Sequence, residues 1–127
     1  MVPICYQFVR QFSKSAISKL NKFFPDVVLI TCMFSSDWLL IRDLINDIKN
    51  KYPNCIIIGG GEHFTALPEF SFNDSSIDCI VTGEGEDTIR EIIMKILADN
   101  YGDDPIEGAL IRSKEKILEG EPRKRIR

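Results

Sequence analysis

At 127 residues, 44% hydrophobic and 28% charged, the chain can bury one core of ordinary globular composition. Its formal net charge of −3 gives no electrostatic case for nucleic acid or an anionic membrane, and no apolar run approaches the roughly 20 residues that span a bilayer. Cys5, Cys32, Cys55 and Cys79 form no CxxC or CxxxCxxC group, which excludes the familiar zinc and iron–sulfur motifs and reads as reduced, buried thiols of a cytoplasmic protein.

Residues 1–12, MVPICYQFVRQF, lack the basic start, long apolar middle and cleavage site of a signal peptide and read as irregular chain or an edge strand. Residues 13–24 place Ile17, Leu20 and Phe24 on one helical stripe. Segments 27–34, 55–60 and 79–83 are short, rich in Val and Ile and free of alternation, the pattern of strands covered on both faces in a parallel sheet. Between the first two, 37–52 sets Trp38, Ile41, Leu44, Ile45 and Ile48 at helical spacing, with Ser36 as N-cap and Pro53-Asn54 as the stop. Between the second and third, 64–78 is broken by Pro68 and the cluster at 73–76, which predicts a loop with one short helical turn. Residues 87–100 turn Ile89, Ile92, Ile93, Ile96 and Leu97 inward and stop at Tyr101-Gly102. Residues 106–120 read as a hairpin on the sheet edge, and 121–127 as a basic tail with Arg123, Lys124, Arg125 and Arg127. The alternation of helix and strand predicts a three-layer α/β sandwich in a single domain spanning 1–127.

Ligands of an open parallel sheet bind beyond the carboxyl ends of its strands. There the chain reads CMFSSD (32–37), GGGEHFT (59–65) and TGEGEDT (82–88). A tight turn needs one residue at positive φ. Gly59, Gly60 and Gly61 with Gly83 and Gly85 exceed that need and predict a trough walled by main chain, open to a long ligand. No GxxxxGK[ST] or GxGxxG is present. Glu62, Glu84 and Glu86 make the rim negative, which disfavours a polyphosphate held without metal; Glu86 and Asp87 also suit the start of the following helix. His63, the single histidine, reads as an axial metal ligand, an acid–base group or a hydrogen-bonding strut, of which the strut is preferred. A small hydrolase built on Ser35 or Ser36 with His63 would need a carboxylate behind the ring, and the spacing selects none.

Three segments, PDVVLITCMFSS (25–36), IKNKYPNCIIIGGGEHFTALPE (48–69) and SSIDCIVTGEGEDTIREII (75–93), resemble the cobalamin-binding domain found ahead of radical SAM catalytic domains. That family includes methyltransferases and the anaerobic magnesium-protoporphyrin ester cyclase group. The resemblance rests on GGxHxT (Gly60, Gly61, His63, Thr65) together with GEGE (Gly83, Glu84, Gly85, Glu86), and the tail looks like the family's closing hairpin and linker.

The resemblance implies a Rossmann-like, flavodoxin-like sheet that holds base-off cobalamin at the C-terminal ends of its parallel strands. The implied cofactor-binding residues are Ser35, Ser36, Gly59, Gly60, Gly61, His63, Thr65, Gly83, Glu84, Gly85 and Glu86, with Ser35 and Ser36 placed to bond the displaced base. No DxHxxG follows the first strand, so no protein imidazole is implied on cobalt, and His63 is not expected to be its ligand. S-adenosylmethionine and a 4Fe–4S cluster would belong to a partner radical SAM domain; no catalytic residue and no direct metal ligand is expected in this chain. The family's opening strand–helix unit is missing from the resemblance. Segment 27–34 is therefore expected at a sheet edge, to be covered by MVPICYQF, by a second copy in a homodimer, or, if the chain is a fragment of a longer gene product, by the rest of it. The expected function is a cobalamin-binding module without catalysis of its own, and its partners are cobalamin and a radical SAM domain, with neither nucleic acid nor membrane. The alternative is a non-binding remnant of the same fold that serves as a structural or dimerising domain.

Overall fold

The computed structural model describes residues 14–20 and 26–123. The expectations for 1–12, for residues 21–24 of the first helix and for the basic residues after Arg123 lie outside the described residues. Residues 14–20 are helical (α1). There follow β1 Val27–Thr31, a 3-10 turn Ser35–Asp37, α2 Trp38–Lys51, β2 Ile56–Gly60, α3 Glu62–Ala66 and α4 Pro68–Asp74. The rest is β3 Cys79–Val81, α5 Glu86–Leu97, β4 Ala109–Ser113 and β5 Lys116–Glu119.

The strands form one five-stranded sheet in the order β1-β2-β3-β4-β5. β1, β2 and β3 are parallel, while β4 and β5 fold back antiparallel as the expected terminal hairpin. Successive strand residues point to opposite faces, and each face carries its own core. Ile30, Ile57 and Ile80 meet Leu44, Ile45 and Ile48 of α2, Phe64 of α3 and Phe72 of α4, with Ala16, Ile17 and Leu20 of α1 beside them. On the opposite face Ile58, Cys79, Val81, Ala109 and Ile111 pack under Ile92 of α5. This is the Rossmann-like three-layer α/β arrangement that the run of apolar strands predicts. Cys32, Cys55 and Cys79 are buried free thiols, and among the described residues no helix is long and apolar enough to cross a membrane.

Local details differ from expectation. Ser36 does not cap α2: it lies inside the 3-10 turn, and Asp37 stands at the N-cap without a side-chain bond. The tight turn, closed by Asp37 N–H donating to Phe34 O at 3.1 Å, takes up the residues that a cap would need. Residues 64–78 hold more helix than the broken pattern suggests, because Pro68 starts α4 instead of ending α3. In α5 the inward stripe is Ile89, Ile92 and Ile96 with buried Thr88, while Ile93 and Leu97 face out at 38% and 81% exposure. The sheet is narrower than the apolar arc of the helix.

β1 closes one side of the sheet and pairs with no strand beyond it among the described residues. Asp26 and Cys32 bond to β2 at its two ends. By the alternation of the ladder, Val27, Leu29 and Thr31 then turn their main-chain groups to the open side. The Leu29 side chain, on the α5 face, is 54% exposed. β2 and β3 are stapled near their starts by Asp78, which accepts from Ile57 N–H at 2.8 Å and pairs with Lys49 Nζ at 3.1 Å.

Candidate functional site

The register of the parallel strands builds a groove on the α5 face. Leu29 lies opposite Ile58, and Thr31 opposite Gly60. β3 leaves the sheet at Val81 and passes through Gly83 and Gly85 into α5, whose Ile89 forms the far wall. The resulting groove has a volume of about 210 Å³ and is bordered by the five glycines of the two loops. That is smaller than the roughly 300–1,000 Å³ pockets that enclose whole drug-sized ligands. It has room for one limb of a ligand.

The glycines are not equivalent. A Cβ on Gly60 or on Gly83 would meet nothing within 4 Å, so these two positions are open. A Cβ on Gly59 would stand 2.7 Å from Phe64 Cζ, which means that the protein's own ring occupies that space on the opposite face. Gly61 has φ +102°, and its Cβ would lie 2.8 Å from Cys32 O. At Gly85 the close neighbour is Val81 Cγ1, at 2.8 Å. The glycine run thus serves internal packing at three positions and leaves bare main chain at two.

The three loops are tied together by polar contacts. Cys32 N–H donates to Gly60 O and His63 N–H to Cys32 O, both at 3.0 Å. Gly83 N–H donates to Thr65 Oγ1 at 3.2 Å, so α3 holds the loop before α5. Ser35 and Ser36 are exposed on the 3-10 turn and do not border the groove; Ser35 Oγ lies 2.9 Å from His63 Nδ1. Glu62, Glu84 and Glu86 are exposed around the strand ends, and Glu86 is the first residue of α5. The hydroxyl that does border the groove is Thr31, and sequence reading missed it. The apolar run continues to Phe34, which hides the point where the strand stops.

His63 is 2% exposed and stacks on Trp38 with ring centroids 4.6 Å apart. Trp38 is itself held by its Nε1–H, which donates to Asp74 Oδ2 at 2.8 Å. Burial pushes the His63 imidazole below its ordinary pKa, because the charged form loses its hydration. With Nδ1 engaged by Ser35 and Nε2 buried, neither nitrogen is open to a metal. The Ser35–His63 contact resembles a nucleophile and its base, but among the described residues Nε2 has no hydrogen-bond partner and no carboxylate orients the ring as a hydrolase requires. Among the described residues no group of three His, Cys, Asp or Glu could hold a metal ion. Around this buried ring Met33, Phe34 and Phe70 remain 54%, 68% and 47% exposed at the same end of the sheet.

The sequence profile of the B12 binding domain matches residues 6–93. The chain belongs to the B12-binding family. Within it, the chain is 30% identical over 118 residues to the cytidylyl-2-hydroxyethylphosphonate methyltransferase of Streptomyces wedmorensis, covering 91% of this chain and 22% of that protein. It is 28% identical over 105 residues to the cobalamin-dependent radical SAM methyltransferase TokK of Streptomyces tokunonensis, covering 80% of this chain and 15% of the other. The anaerobic magnesium-protoporphyrin IX monomethyl ester cyclase of Synechocystis is 33% identical over 81 residues, 59% of this chain and 15% of the cyclase. This B12-binding chain therefore spans 15–22% of the length of these relatives. Among solved structures it is similar to the N-terminal domain of a hypothetical protein from Thermotoga maritima, with a TM-score of 0.54, 30% identity and coverage of 61% of this chain and 62% of that one.

Proposed function

We propose that this chain is the cobalamin-binding part of a radical SAM-type enzyme and holds the cofactor base-off, without catalysing a reaction alone. The observation that carries this reading is the groove left open over Gly60 and Gly83 at neighbouring strand tips. Its walls are apolar side chains and main chain, which suits a heteroaromatic base with its ribose sliding in edgewise. Thr31, at the tip of β1, brings a hydroxyl to its border. The flat corrin would then lie over the strand ends, on exposed Met33 and Phe34. Exposed Glu62, Glu84 and Glu86 can accept hydrogen bonds from the carboxamide arms of the ring. The residues present fit the group.

When bound, cobalamin supplies a cobalt centre that carries a methyl group or an electron pair; this chain would orient it and shield one face. S-adenosylmethionine and a 4Fe–4S cluster would be supplied by a partner domain. Buried, unpaired Cys32, Cys55 and Cys79 are in keeping with a reducing cytoplasm. The test is a titration of the chain with hydroxocobalamin, followed by absorbance and equilibrium dialysis. Retention with the spectrum of a displaced base is expected; no retention by the folded chain overturns the reading.

A second reading is favoured by one observation, the main-chain side of β1 left unpaired among the described residues. On that reading the chain is a dimerising domain that binds no cofactor. A sedimentation mass of twice 14.5 kDa with no uptake of cobalamin would select it.

A further inference from the structure

His63 is a buried histidine whose one side-chain hydrogen bond among the described residues leads outward. Its ring meets Trp38 face to face and Phe64 and Phe70 edge-on. Nδ1 reaches Ser35 Oγ, on an exposed turn 28 positions earlier, and among the described residues Nε2 has no partner. A neutral imidazole carries one N–H and one lone pair. If Nδ1 accepts from Ser35, a buried N–H is left bare at Nε2. If Nδ1–H donates to Ser35, only a lone pair is left bare. Buried donors go unpaired more rarely than buried acceptors. Among the described residues no N or O acceptor lies within hydrogen-bond reach of Nε2.

We propose that His63 is a positioning residue: its Nδ1–H fixes Ser35 Oγ as an acceptor and so turns the Ser35 O–H outward, as a donor to a carboxamide oxygen on the rim of a corrin bound over the strand ends. The inference rests on the cobalamin reading above. It assigns Ser35 a contact with the ring periphery instead of the displaced base, because Ser35 stands apart from the groove that Thr31 and Gly60 border. A second, main-chain bond holds the turn that carries Met33 and Phe34: His63 N–H donates to Cys32 O at 3.0 Å. Ring stacking holds the imidazole plane, and the plane sets the direction of the hydroxyl.

Two measurements test this. The chain has one histidine, so a long-range proton–nitrogen correlation spectrum reads its tautomer without ambiguity and without ligand. Protonation at Nδ1 is expected, and protonation at Nε2 overturns the proposal. The second measurement is hydroxocobalamin affinity, by absorbance, for the wild type, Ser35→Ala, His63→Phe, His63→Asn and the double variant Ser35→Ala/His63→Phe. His63→Phe keeps the stack on Trp38 but loses the donor; His63→Asn restores an N–H near the position of Nδ1. Each of the first two single variants is expected to weaken binding about five- to tenfold, the size of one hydrogen bond. The double variant should be no weaker than either, and His63→Asn should stay within about threefold of wild type. Additive losses, or unchanged affinity in all variants, overturn the role of His63 while the cobalamin reading stands. Failure of the folded wild type to bind overturns the cobalamin reading itself and with it the assignment of the Ser35 donor. Should His63→Phe fail to fold, Ser35→Ala and His63→Asn decide alone: a loss in the first with retention in the second supports the proposal, and any other pattern overturns it.

Discussion

Gly59 and Gly60 are neighbours in one strand and face opposite sides of the sheet, so the same substitution has opposite consequences. Gly59→Ala drives a methyl group into the Phe64 ring and is expected to cost about 1–3 kcal/mol of stability, the range of an overpacked core, measured by chemical denaturation. Gly60→Val meets open space in an extended strand and should leave stability within about 0.5 kcal/mol. It fills the groove, however, and cobalamin uptake in dialysis is expected to fall at least about tenfold, the effect of blocking one limb of the ligand. At His63 the relevant variable is pH. Its imidazole is harder to protonate when folded than when unfolded, so the unfolded chain binds the extra proton first. Stability is then lost as pH falls through the unfolded value near 6.5 toward the lowered folded one. Denaturation midpoints at pH 7.5 and 5 should therefore differ more for the wild type than for His63→Phe; equal differences would show that the ring bears no such burden.

At the scale of elements, α3 matters because it joins two loops. Thr65→Val removes the acceptor for Gly83 N–H and should speed hydrogen exchange across 82–85 about tenfold, with little change in the global midpoint. Unchanged exchange would mean that the loop holds itself. The strands, α2 and the hairpin were legible in the sequence, since buried parallel strands lack alternation and Trp38, Leu44, Ile45 and Ile48 repeat at helical spacing. The helices around Pro68 were not, because proline reads as a breaker and only its place in the first turn of α4 makes it a starter. In α5 five apolar positions mark an arc, but only the width of the sheet decides which of them are covered, and Ile93 and Leu97 are not. The trough was legible as an excess of glycine. Which glycines border open space was not, because Phe64 comes from a helix that the pattern did not announce. The Ser35–His63 bond joins residues whose types were noticed but whose distance only the fold could set.

For the whole molecule the asymmetry of the sheet is the dominant feature. On one side the β4–β5 hairpin ends the sheet with Lys116 and Glu119 on its last strand; on the other, β1 reads VVLIT and carries no charge. Natural edge strands are blunted by lysine, proline or bulges or are covered by other chain; β1 has none of the first three, and no strand pairs beyond it among the described residues. Concentration-dependent association is expected in analytical ultracentrifugation, and Leu29→Lys should shift the chain toward its monomer mass of 14.5 kDa. A wild type that stays monomeric at every concentration would show that the edge is already covered.

The way the chain leaves the fold also matters. Arg123 donates to Thr88 Oγ1 at 2.9 Å, to Glu91 at 2.8 Å and to Glu107 O at 3.1 Å, which moors the departing backbone on the first turns of α5. The guanidinium thereby ties the backbone at Arg123 to the same helix whose Ile89 walls the groove, so a pull on the chain at that point would be felt first by α5.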